Sequence, residues 1–231
     1  MAPRSHSFLT VLFYLLYFLF SSLHDNTLFA NAQSYTPRST SGSISAFIDG
    51  KAMYVQGGTT AVSSTTAQSF VLDLSTSWDL AVPAYKQLPD GINSRLNPGA
   101  LLNDSTTLFI MNDTNFHYYN VQDGQKTTYS TTFEKGRSIM GSGCQAATNP
   151  RTGHVYIPGG YYGKDGLELL RFDPTTNEFI TFTMPVELQS IMSYPVAWVP
   201  HLDAMLIFGG YYYKTFQSSS SLYQYNYGNG T

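Results

Sequence analysis

A short phrase recurs along this chain: Met53-Tyr54-Val55-Gln56-Gly57-Gly58, then Val155-Tyr156-Ile157-Pro158-Gly159-Gly160, then Met205-Leu206-Ile207-Phe208-Gly209-Gly210. The last two glycine doublets lie 50 residues apart and the first two 102, which leaves room for one degenerate copy, Leu108-Phe109-Ile110-Met111-Asn112-Asp113. An apolar strand closed by a glycine pair, repeated at roughly 50 residues, is the period of a radial array of small sheets. A single unit of that size cannot bury both faces of its sheet, so the copies must stack on one another.

Each copy reads as four short strands. In the third, Gly143–Ala147 is a first strand, the Asn149–Gly153 run a turn, and His154–Ile157 a second strand before Gly159-Gly160. Leu169–Phe172 follows as a third strand, Asp173–Asn177 as a tight turn and Glu178–Phe182 as a fourth. The first copy has an Asp49-Gly50 pair between apolar runs, a strong hairpin signal. The fourth copy opens at Pro195–Val199 and stops after its third strand, Leu222–Tyr225. The second strands are apolar at consecutive positions, as in Met205-Leu206-Ile207-Phe208, so they are expected to be covered on both faces. The glycine pairs fit a strand end that turns sharply beside a crowded neighbour.

Glycine pair, a strand ending near Asp, and an aromatic five or six residues later resemble the kelch repeat. Gly57, Gly58, Asp73 and Trp78 carry the pattern in the first copy; Gly159, Gly160, Asp173 and Phe179 carry it in the third; Gly209 and Gly210 mark the fourth. The resemblance implies an all-β, kelch-type β-propeller of about four blades of four-stranded antiparallel sheet, spanning approximately 43–88, 97–135, 141–187 and 191–231. Closed propellers of this family usually have six or seven blades, so residues 43–231 are expected to form an open or partial propeller. Asp73 and Asp173 are read as turn formers through Asx hydrogen bonds.

Residues 1–32 read as a signal peptide: Arg4 supplies a positive start, Phe8–Phe20 an apolar stretch of 13 residues, and Ala30-Asn31-Ala32 a small-residue cleavage site. Thirteen residues are too few to span ~30 Å of hydrocarbon as a helix. The expected localisation is secreted; the alternative is membrane anchoring by an uncleaved N-terminal segment. A Ser/Thr-rich leader, residues 33–42, is expected to be disordered before the first blade. The one cysteine, Cys144, cannot form an internal disulfide; it reads as a small buried strand residue, or as a partner for a cysteine on another chain. Three sequons, at Asn103, Asn112 and Asn229, are glycosylation candidates, Asn103 the better placed because it falls in a turn.

With 12 basic against 15 acidic residues and 12% charged in all, the chain offers no field to draw in nucleic acid. The sequence holds no nucleophile elbow, phosphate loop or zincin motif. The favoured reading is a secreted, non-catalytic binding module for protein or carbohydrate, without cofactor or metal. Its candidate contacts are loop tyrosines after the glycine pairs, Tyr161, Tyr162, Tyr211, Tyr212 and Tyr213, whose flat rings with a hydroxyl suit sugar faces and protein hot spots. Self-association through the end blades is a further expectation. Two alternatives remain: the N-terminal part of a longer kelch-repeat cell-surface protein, and a fragment resembling the galactose-oxidase-like radical copper oxidases. The latter would need two His and two Tyr around copper, one Tyr crosslinked to Cys. His117, His154 and His201 fall at different blade positions and Cys144 lacks the ligand spacing.

Overall fold

The computed structural model describes residues 35–48, 50–61, 64–78, 83–112, 115–130, 145–158, 168–183, 185–189, 191–212 and 214–226. The first sheet contains β1 (Ile44–Ile48), β2 (Ala52–Gln56), β3 (Ser69–Asp73) and β4 (Tyr85–Gln87), hydrogen-bonded antiparallel in that order. The second contains β5 (Gly99–Leu101), β6 (Thr107–Met111), β7 (Asn115–Asn120) and β8 (Lys126–Ser130). The third contains β9 (Ala147–Thr148), β10 (Val155–Pro158), β11 (Glu168–Asp173) and β12 (Glu178–Thr183). Beside a short pair, β13 (Ile191–Met192) with β16 (Tyr211–Tyr212), the fourth sheet has three strands, β14 (Val196–Val199), β15 (Ala204–Phe208) and β17 (Leu222–Asn226). This is an all-β propeller of four blades whose only described helices are two single 3₁₀ turns.

The innermost strands adjoin in series, β1 to β5, β5 to β9 and β9 to β14. Three cores hold the blades together, one at each boundary. Tyr54 and Val71 of the first sheet meet Leu108 and Ile110 of the second. Phe109, Met111 and Phe116 meet Val155, Ile157 and Phe172. Tyr156 and Leu169 meet Val196, Met205 and Ile207. Alternation along each second strand thus sends neighbours to opposite cores, with Leu108 and Ile110 facing back while Phe109 and Met111 face forward. That accounts for the unbroken apolar runs. Among the described residues no apolar cluster joins the fourth sheet to the first.

The glycine doublets behave as their chemistry requires. Gly57, Gly58, Gly209 and Gly210 all have positive φ, from 68° to 97°. A β-carbon on Gly210 would stand 2.7 Å from the Met192 carbonyl oxygen. The second copy manages without a doublet because β6 and β7 are joined by a tight hairpin, closed by Asn112 N–H to Asn115 O and Asn115 N–H to Asn112 Oδ1, each 2.8 Å. Gly159 and Gly160 lie outside the described residues, as do Asp49, Cys144 and residues 1–32.

The leader departs from expectation over residues 35–43. Arg38 N–H donates to Gln68 Oε1 at 3.1 Å, Gln68 Nε2 donates back to Arg38 O at 2.9 Å, and Ser41 exchanges backbone bonds with Thr59. The Tyr35 ring lies 6.1 Å from Phe70. Polar leader residues are ordered here because they complete the hydrogen bonds of the first blade's glycine-turn loop.

Candidate functional site

In every sheet the innermost strand is an edge, and an edge strand presents unpaired peptide groups on its open side. Four such edges surround a central cavity of about 640 Å³. Ser43 and Ser45 of β1 and its approach, Asn97 and Gly99 near β5, Gln145 and Thr148 near β9, and Ala197 and Trp198 of β14 line it. At the end where the first and second strands of each blade turn, a hollow of about 440 Å³ is framed by Phe47, Asn103, Ser105, Thr148, Pro150 and Trp198. Among the described residues, no charged side chain lines either space. Two hydrogen bonds lock the second and third blades around the hollow. Thr148 Oγ1 donates to Leu101 O at 2.6 Å, and Asn103 Nδ2 donates to Pro150 O at 2.8 Å. Trp198 is held by stacking on Tyr156, with centroids 5.0 Å apart and planes at 26°.

The opposite end carries the loops that follow the glycine doublets. Of the candidate tyrosines, Tyr211 and Tyr212 are described, both half-buried on β16. Tyr212 packs against the core between the third and fourth blades, which gives it a structural task. Tyr211 instead stacks loosely with Phe216, centroids 6.4 Å apart, and Phe216 is 76% exposed. Backbone bonds from Tyr212 N–H to Gln217 O and from Phe216 N–H to Tyr212 O hold the loop. Phe216 was no part of the sequence reading; an aromatic three positions beyond the tyrosine run was its only trace. Tyr161, Tyr162 and Tyr213 lie outside the described residues.

The repeated carboxylates form turns. Asp73 Oδ1 accepts from Ser75 N–H at 2.8 Å and its hydroxyl at 2.6 Å, and Asp173 Oδ1 accepts from Thr175 N–H at 2.8 Å and its hydroxyl at 2.7 Å. These bonds hold the Asp173 carboxyl below its ordinary range. Asn120 does the same in the second copy, accepting from Gln122 N–H at 2.8 Å. Trp78 Nε1–H donates to Asp73 O at 2.8 Å, while Phe179, its counterpart in the third copy, packs at a tilt against Phe172, with centroids 4.6 Å apart.

The three histidines stand apart. His117 is buried on β7 between Thr128 and Asn112; His154 approaches Asp173 at 3.5 Å; His201 sits in a 3₁₀ turn of the fourth blade. Among the described residues no three His, Cys, Asp or Glu side chains gather as a metal site would require. Of the sequons, Asn103 is exposed, Asn112 is half-buried, and Asn229 lies outside the described residues. Among the described residues no helix is long and apolar enough to cross a membrane.

No family model matches this chain, and no curated protein matches it. Among solved structures it is similar to the one described as the structure of YjhT, with a TM-score of 0.54 and 14% identity over 78% of this chain. The chain spans 60% of that protein's length. At this identity the likeness is one of fold: the four stacked sheets are a β-propeller.

Proposed function

We propose that this chain is an exported, kelch-type interaction module that binds a protein or carbohydrate partner and catalyses no reaction. The observation that carries this reading is the Tyr211–Phe216 pair, an exposed Phe216 ring beside a half-buried Tyr211, on a loop pinned by backbone hydrogen bonds at the end of the blades where the doublet loops emerge. Rings held in place lose little conformational freedom on binding, which is why Tyr and Phe serve as anchors. The glycine–Asp–aromatic spacing supports the kelch assignment, and Arg4 with Phe8–Phe20 supports export.

Tyr211→Ala and Phe216→Ala test the loop against Tyr212→Ala, using arrays of extracellular proteins and glycans. The first two should lose a captured partner while melting normally. Tyr212→Ala should lower the melting temperature. Unchanged capture by the Tyr211 and Phe216 variants would remove the loop from the reading.

A second reading, part of a longer propeller, is favoured by the blade faces. Met53 and Val55 point away from the second sheet, and Leu206 and Phe208 away from the third, yet they are as apolar as residues that do meet a neighbour. An in-frame continuation encoding further blades would establish it.

A further inference from the structure

We propose that the hollow at the hairpin-turn end of the central cavity is a binding site for a neutral carbohydrate. This end is opposite the Tyr211–Phe216 loop, so the two proposals stand or fall separately.

Its chemistry comes from four separated segments. Phe47 closes β1, Asn103 begins the β5–β6 turn, Thr148 ends β9, and Trp198 lies in β14. The Phe47 ring is 66% exposed, an unfavourable setting for a large apolar side chain without a partner. Trp198, which lines the same hollow, is oriented by its stack on Tyr156. Two aromatic side chains lining one hollow suit the C–H face of a pyranose ring.

The polar groups match hydroxyls rather than ions. Thr148 and Asn103 already donate to Leu101 O and Pro150 O, which leaves their oxygens as acceptors for sugar hydroxyls. Gln145 brings an exposed amide to the adjoining cavity. Among the described residues, the charges near the rim are paired locally. Arg151 pairs with Asp203 across the third and fourth blades, and Asp104 accepts from the Thr106 and Thr107 N–H groups and the Thr107 hydroxyl within its own turn. A charged ligand entering the hollow would lose hydration without gaining a counter-ion. The spaces of about 440 and 640 Å³ fall within the ordinary size of small-ligand sites.

The chain has two tryptophans, so Trp78→Phe leaves Trp198 as the sole reporter. The full chain, produced without glycosylation because Asn103 sits on the rim, is titrated with maltotriose, cellotriose and chitotriose, and with trigalacturonate as a charged comparator. At least one neutral trisaccharide should shift Trp198 emission saturably. Phe47→Ala should weaken that response by about tenfold or more with an unchanged melting temperature, as expected for an exposed anchor. Saturation-transfer NMR on the unsubstituted chain reads the same contacts from the sugar protons, independently of the Trp78 replacement. Three results would overturn the proposal: no saturable response to any neutral probe by either method, equal response to trigalacturonate, or a response indifferent to Phe47→Ala.

Discussion

Phe109 and Phe172 stack at 4.6 Å with their planes 27° apart, across the boundary between the second and third blades. Both are fully buried, and Phe116 lies 4.9 Å from Phe172 in the same cluster. Truncating either ring should cost about 3–5 kcal/mol, the usual range for a buried Phe→Ala change. That is a large share of the roughly 5–15 kcal/mol that stabilises a domain. A double-mutant cycle by urea denaturation should return a coupling of about 0.5–1.5 kcal/mol beyond the single losses. Strict additivity would mean that the two rings share no interface in solution.

The glycine positions separate two kinds of cost. Gly50 has φ of +67° with nothing within 4 Å of a β-carbon, whereas Gly210 has φ of +79° with the Met192 carbonyl 2.7 Å from that position. Gly50→Ala should therefore lose only the left-handed penalty, about 1–2 kcal/mol. Gly210→Ala adds a backbone collision and should lose about 1–3 kcal/mol more. Equal melting temperatures for the two variants would contradict the close approach of β13 to the doublet.

The repeat was legible because stacked blades impose the same demand on each copy: an apolar second strand in all four, and an Asx-type turn after the third strand in the first three. Where the demand changed, the signal faded. Asn112 replaces a glycine because its loop is a short hairpin, and Phe179 replaces a tryptophan because it packs into the Phe172 cluster instead of capping a turn. The innermost strands are only two to five residues long, and β9, Ala147–Thr148, has no periodicity to read. The order of the leader was invisible because its partners, Gln68 and Thr59, are distant in sequence and polar. The central cavity was missed for the same reason: its walls come from four segments, none of which holds a motif.

His117 makes stability depend on pH. Its Nε2 accepts from Asn112 Nδ2 at 3.1 Å, since Asn112 Oδ1 is committed to Asn115 N–H, and its Nδ1–H donates to Thr128 Oγ1 at 2.9 Å. The bond from Asn112 requires an unprotonated Nε2, whereas the Nδ1–H bond to Thr128 is kept when the ring is protonated. Burial, and then the Lys126 charge, lower its pKa from the ordinary 6.5. With the folded value below the unfolded one, the unfolded chain binds the proton more readily. This stabilisation is complete above 6.5 and is lost as pH falls from there through the folded value. His117→Gln should flatten the melting-temperature profile between about pH 7 and pH 5, judged against the ordinary histidine range. An unchanged slope would place the acid sensitivity elsewhere.

The faces at the two ends of the blade series set the last expectation. On the fourth blade Phe208 and Leu222, paired across β15 and β17, are 51% and 65% exposed on the side away from the third blade. On the first blade, Met53 and Leu72, both half-buried, are paired across β2 and β3 on the side away from the second. Fully burying a side chain of this size is worth about 1.5–3 kcal/mol, so a few of them together rival the stability of a domain. The two faces are also complementary in kind. Among the described residues, every boundary joins the forward face of one blade to the backward face of the next, which leaves one face of each sort without a neighbouring blade. The isolated chain should therefore associate head to tail, a contact that closes a ring or runs on into a filament. Phe208→Lys and Leu222→Lys should each shift sedimentation toward the monomer without changing the secondary structure. A monomer at all concentrations with one cooperative melt, in the unsubstituted chain, would show that the end faces are satisfied without a partner.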